Sequence, residues 1–228
     1  MAATTPAPTS GVPSRNPTVT PHPTVLAVPA GAGTIKLIPA GPTAVRLTLS
    51  VPDGWQKASD AMYLKPDTAA AAGMSVSAWH LLHVHFLPCR WASRQFADGP
   101  LMRTAEGQAE ALSSWWGQDP TMLPYWNSKI APIAGKPQPA TIQGYAAWYL
   151  EVLIPSVLDL TECDGEQLIL WDTADGDIRY SVPGEIHRLW VVDVDGELIV
   201  MDAASFLATS SANVSELQAV IDSVVIEP

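Results

Sequence analysis

The chain has 228 residues, with 12 lysines and arginines against 23 aspartates and glutamates, for a net charge of −11. So acidic a surface repels phosphate backbones and excludes nucleic acid as a partner. No run of eighteen apolar residues occurs, as a membrane-spanning helix requires.

Residues 1–33 read as a stalk. The first thirty hold seven prolines and six threonines, with Arg15 as their one charge. Such a segment cannot bury enough apolar surface to offset the entropy of ordering it, and Pro/Thr-rich stretches serve as spacers between an anchor and an outer domain. The chain does not open on a basic-then-apolar leader, so we expect a signal or membrane anchor upstream of Met1. Residues 34–228 suit one globular domain.

Within that domain Val45, Leu47, Leu49 and Val51 alternate with polar residues, which predicts a half-buried strand. Pro52-Asp53-Gly54 turns the chain. Tyr63–Lys65 is a short strand candidate and Met74–Phe86 a long one. From Thr104, an acceptable N-cap, Ala105, Ala109, Leu112 and Trp116 fall on one helical stripe until Asp119-Pro120 ends it. Residues 120–139 hold five prolines and read as a surface loop. Strands are expected at Ala146–Ile154 and Leu168–Trp171. Residues 172–177 form an acidic turn.

The last forty residues carry the clearest pattern. Leu189–Val194 and Glu197–Met201 flank Asp195-Gly196, a two-residue hairpin turn. A helix follows over about 211–223, with Asn213 and Glu216 as a candidate capping box, and Val224–Ile226 reads as a final strand. Leu189–Val194 is apolar on both faces, so it should be central, with a helix packed on each side. The expected architecture is α+β: a single antiparallel sheet of about six to eight strands flanked by helices and cross-linked once.

Charge is uneven along the chain: residues 151–228 carry two basic and sixteen acidic side chains. A solvated acidic face is the plain reading. Cys89 and Cys163 are the two cysteines. No C-x-x-C pair or zinc pattern surrounds them, and no nucleophile setting surrounds Cys89, so in an exported protein they read as one disulfide.

The segments VPDGW (Val51–Trp55), PCRW (Pro88–Trp91), ECDGE (Glu162–Glu166), LWVVDVDGE (Leu189–Glu197) and SELQAVIDSVVIEP (Ser215–Pro228) carry a resemblance. The chain resembles exported domains of high-GC bacteria held at the membrane by Pro/Thr-rich stalks, and its C-terminal end resembles the PsbP-like fold. The resemblance spans about 34–228 and implies pairing of Cys89 with Cys163. It carries no assigned reaction. PsbP-like domains are mostly extrinsic partner-binding modules, which implies binding rather than catalysis.

Candidate sites are few. His83 and His85 share one face of a strand, about 7 Å apart by strand rise, a spacing that can chelate zinc or copper, with His187 or a carboxylate as third ligand. His80 faces the other way. Asp172, Asp175 and Asp177 are the calcium candidates, a better set than Asp193-x-Asp195, whose flanking period is β. Nine tryptophans are present. Trp148 and Trp190 belong in the core. Trp115, Trp116, Tyr125 and Trp126 cluster near the helix end, where they either seal the sheet or, if exposed, stack on a glycan or anchor a protein. No G-x-S-x-G, H-E-x-x-H, S-x-x-K or glycine-rich phosphate loop occurs.

These features rank three readings. The first is a monomeric extracellular or cell-envelope module, without a cofactor, that binds a protein, small ligand or glycan through residues 115–126. The second is a metal-dependent hydrolase built on His83 and His85. The third is a structural spacer.

Overall fold

A computed structural model describes residues 28–29, 33–67, 73–94, 96–97, 99–114 and 133–228. Among them, sixteen strands form three sheets in which every ladder is antiparallel. The first strand, β1 (Val28–Pro29), falls inside the stretch read as a stalk and pairs with Gln56 and Lys57.

β2 (Gly33–Leu37) and β3 (Arg46–Val51) alternate as their sequence dictates, burying Ile35, Leu37, Leu47, Leu49 and Val51. They form a three-stranded sheet with the C-terminal strand, so the expectation of a single sheet fails here first. β3 pairs with residues 225–227 instead of joining the centre.

The nine-stranded central sheet begins with β1, β4 (Gln56–Ser59), β5 (Met62–Lys65) and β6 (Met74–Trp79). The expected strand Met74–Phe86 breaks after Trp79. Ala40 bridges to Trp79, and His80 donates its N–H to the Ala40 carbonyl at 2.7 Å, which turns the chain out of the sheet. Gly41 makes this approach possible: its φ is +107°, and a Cβ there would lie 2.7 Å from the His80 carbonyl oxygen. β7 (His83–His85) then enters the other sheet, followed by β8 (Phe96–Ala97).

Helix α1 (Ala105–Ser114) buries Ala105, Ala109 and Leu112, and the Thr104 hydroxyl accepts from Gly107 N at 3.0 Å as an N-cap does. β9 (Ile133–Ala134), β10 (Gln138–Ile142) and β11 (Tyr145–Leu153) continue the central sheet. β12 (Leu168–Asp172) and β13 (Ile178–Ser181) complete the four-stranded sheet, in the order β13-β12-β7-β8.

The centre is the hairpin of β14 (Glu185–Val194) and β15 (Glu197–Phe206), ten residues each in full register. Asp195 and Gly196 turn it with φ of 54° and 95°. β14 lies between β15 and β11 and is covered on both faces, as its sequence requires: Leu189 and Val191 enter one core, Trp190, Val192 and Val194 the other. The first core lies under the four-stranded sheet and α1. The second lies under the three-stranded sheet and α2 (Ser211–Asp222). A helix on each side was legible; the extra sheet on each side was not.

The N-cap of α2 is Ser210, whose hydroxyl accepts from Asn213 N at 3.2 Å. Glu216 does not close the expected capping box. It accepts from Trp55 Nε1 at 2.9 Å and from Lys65 Nζ at 2.7 Å, tying the helix to the core. β16 (Val225–Glu227) ends the chain beside β3.

Candidate functional site

The four-stranded sheet has two chemically different faces, and β13 contributes to both by simple alternation. Arg179 and Ser181 point inward to the central sheet and are buried, while Ile178 and Tyr180 point outward.

The inward face holds a constellation that pattern searches on the sequence miss. Ser181 Oγ lies 2.9 Å from His187 Nε2, and His187 Nδ1 lies 3.0 Å from Asp202 Oδ1. This is the atom pairing of a serine nucleophile, its base and the orienting carboxylate. Two further groups change its chemistry. Glu185 accepts from Ser181 Oγ at 2.6 Å, and Arg179 donates from Nη2 to Glu185 and from Nε to Asp202, each at 2.9 Å. Burial alone would lower the His187 pKa, but the charges of Asp202 and Glu185 and their hydrogen bonds outweigh it and raise the group to about 9. Burial likewise opposes ionisation of Glu185 and Asp202, yet the neighbouring cations hold both below the ordinary carboxylate range.

His187 is therefore an imidazolium near neutral pH and has no lone pair to take a proton. Ser181 already gives its hydrogen to Glu185, and His187 and Asp202 are fully enclosed. The cluster pairs two cations with two anions between sheets and is not a working nucleophile. His187 is thereby removed as a metal ligand for the His83 and His85 pair.

The outward face holds a cavity of about 370 Å³. Its lining brings His83 and His85 on β7 and Asp172 on β12 together with Phe96, Ile169, Ile178 and Tyr180. His83 and His85 do share a face, as expected, but both turn to one carboxylate. His83 Nδ1 lies 2.9 Å from Asp172 Oδ1, and His85 Nε2 lies 3.2 Å from Asp172 Oδ2. With Asp172 accepting at both oxygens, the hydrogen facing it sits on Nδ1 of His83 and on Nε2 of His85, opposite nitrogens of the two rings. His85 Nδ1 is buried and has no partner among the described residues. Burial lowers the His85 pKa against the pull of Asp172, which keeps the ring neutral. The rings of His83 and Phe96 lie 4.0 Å apart.

The rim is held by the disulfide. Cys89 and Cys163 are joined with their Cα atoms 4.5 Å apart, across 74 positions of sequence. This fixes the 3-10 segment Pro88–Ser93 on the loop before β12. Asp164 completes the attachment: its backbone carbonyl accepts from Trp91 Nε1 at 2.7 Å, and its carboxylate accepts from Ala92 N at 3.1 Å and Arg90 Nη1 at 3.3 Å. Trp91, Ala92 and Arg94 thereby line the cavity mouth.

The three calcium candidates of the acidic turn are divided between two places. Asp172 faces two imidazoles, and Asp175 and Asp177 line a separate, wider depression of about 720 Å³ that shares only Ile178 and Tyr180 with the cavity. Among the described residues no group of three or more His, Cys, Asp or Glu side chains could hold a metal ion. Trp115, Trp116, Tyr125 and Trp126 lie outside the described residues. Of the tryptophans assigned to the core, Trp190 is buried and Trp148 packs on the core from a half-buried position.

No helix of the described residues is long and apolar enough to cross a membrane. No protein-family model matches the chain, and no curated protein does. Among solved structures, the chain is similar to LpqN, involved in cell envelope biogenesis of Mycobacterium tuberculosis. The two share 12% identity over 87% of this chain and 93% of that chain, with a TM-score of 0.40, a likeness too slight to carry an argument.

Proposed function

We propose that the chain is an exported binding module that holds a small organic ligand in the cavity on the outward face of the four-stranded sheet. The observation that carries this reading is the cavity: apolar and aromatic residues line it beside a few polar ones, the usual make-up of a small-molecule site. The disulfide supports an oxidising compartment. The Pro/Thr-rich start supports a stalk to an upstream anchor, and the resemblance of the C-terminal end to PsbP-like modules supports binding over catalysis. Residues 115–126 remain a proposed second contact surface for a protein or glycan.

The test is a thermal-shift screen of the full chain against a broad panel of small acids, bases, alcohols and sugars, followed by calorimetry on each hit. We expect at least one hit whose affinity drops about tenfold in Tyr180→Ala. A panel without hits, or hits indifferent to both Tyr180→Ala and Phe96→Ala, would overturn the reading.

A further inference from the structure

We propose that this cavity selects a singly charged anionic amphiphile, with its acid group on the Arg94 guanidinium and its apolar body between Phe96, Tyr180 and Trp91. The inference rests on the cavity being a ligand site and names the ligand's chemistry.

Three observations carry it. First, Arg94 is the permanent cation lining the cavity, it is exposed at the mouth, and its guanidinium has no hydrogen-bond or ion-pair partner among the described residues. Three other arginines of the fold are paired with carboxylates, Arg90 with Asp164, Arg179 with Glu185 and Asp202, and Arg188 with Glu151, while Arg103 is exposed away from the cavity lining. A guanidinium left open beside apolar walls is suited to a carboxylate or another planar acid group.

Second, the anionic side chain of the cavity is already answered. Asp172 accepts from both imidazoles, so it neither pairs with Arg94 nor calls for a cationic ligand. His85 is kept neutral by burial. A ligand amine would find no free carboxylate in the lining, whereas a ligand acid finds a free guanidinium.

Third, the backbone fixes the arginine. Arg94 stands at φ 53°, a left-handed conformation that a non-glycine residue adopts at some cost, and its N–H closes the preceding turn on Trp91 O at 3.0 Å. Trp91 is in turn held by Asp164. The Arg94 backbone and the Trp91 ring beside it are thus placed by one short hydrogen-bonded segment.

The net charge of −11 repels an anionic bilayer, so the ligand is taken as a free acid rather than as a headgroup in a membrane.

The experiment is isothermal calorimetry of the full chain with octanoate and octylammonium below their micellar concentrations and octan-1-ol below its solubility limit, together with sedimentation with phosphatidylglycerol vesicles. Octanoate is expected to bind at least tenfold more tightly than the other two, and the chain not to sediment. Arg94→Gln should abolish the preference while leaving octanol binding and the melting temperature unchanged, and Tyr180→Ala should weaken all three probes. Equal affinity for octanoate and octanol, a preference that survives Arg94→Gln, no uptake of octanoate, or capture by vesicles alone would each overturn the proposal. The broader ligand screen judges the cavity itself: hits there on non-acids, displaced by Tyr180→Ala, would leave the site standing while this assignment of its ligand fell.

Discussion

Arg179 Nε and Asp202 Oδ2 lie 2.9 Å apart and join the edge strand β13 to the centre of the main sheet. The contact belongs to a closed set in which Arg179 and His187 face Glu185 and Asp202, with Ser181 and Ser77 filling the remaining hydrogen-bond positions. It fastens one sheet to another through charge beside a hydrophobic cluster.

Breaking the set should therefore be costly. Asp202→Ala leaves a buried guanidinium and imidazolium without one of their two counter-charges. We expect a loss of about 3–5 kcal/mol, read as a fall in the urea midpoint at pH 7.

The same cluster dictates a stability profile with pH. His187 keeps its proton in the folded chain up to about 9, above its ordinary value of 6.5. Its contribution is full below the unfolded value and is lost as pH rises through 9. Glu185 and Asp202 are held low, so theirs is present above the unfolded carboxylate range and is lost as pH falls through their folded values. Arg179 is held charged more firmly than usual and does not titrate in this window. The urea midpoint should fall on raising pH from 6.5 to 9, and His187→Gln should flatten that limb. A wild-type midpoint constant across this range would refute the assignment.

Ser181 should not behave as a nucleophile. A fluorophosphonate probe is expected to leave it unlabelled at pH 7.5, as judged by mass spectrometry of tryptic peptides. Labelling at Ser181, lost in Ser181→Ala, would restore the hydrolase reading on different residues from those first considered.

Much of the architecture was legible because it rests on local rules. Asp195-Gly196, the two-sided apolar run of β14 and the helix over about 211–223 are patterns of neighbouring residues, and all three are present. The division into three sheets was not legible. It depends on Ala40 crossing at Trp79 and on β3 meeting β16, pairings far apart in sequence. The site divides in the same way. His83 and His85 stood out by spacing, but their shared acceptor is 89 and 87 positions away. Arg94 and Phe96 carry no motif at all. Ser181, His187 and Asp202 were equally hidden, since three unlike residues on separate strands leave no periodic trace.

The imidazole pair offers a direct spectroscopic check. Nitrogen-15 correlation spectra at pH 7.5 should find the hydrogen on Nδ1 of His83 and on Nε2 of His85. Asp172→Ala should remove that difference and destabilise the fold by about 1–3 kcal/mol, because the enclosed His85 loses its acceptor. Identical tautomers in the wild type would contradict the shared carboxylate.

Reduction tests the rim. Opening a loop of 74 positions should cost about 4 kcal/mol by the chain-entropy account. At a temperature where the reduced chain is still folded, Trp91 and Arg94 should show faster amide exchange while the β14–β15 hairpin does not. Uniform acceleration in both regions would mean that the bridge supports the whole domain and not the mouth in particular.

The alternation along β13 separates two kinds of evolutionary risk. Substitutions at Arg179 or Ser181 endanger the joint between sheets, whereas Ile178 and Tyr180, one step away on the same backbone, line the cavity and the depression beside it and take no part in that joint through their side chains. Selection can therefore retune what the pocket accepts, residue by residue, on a strand whose other edge stays locked.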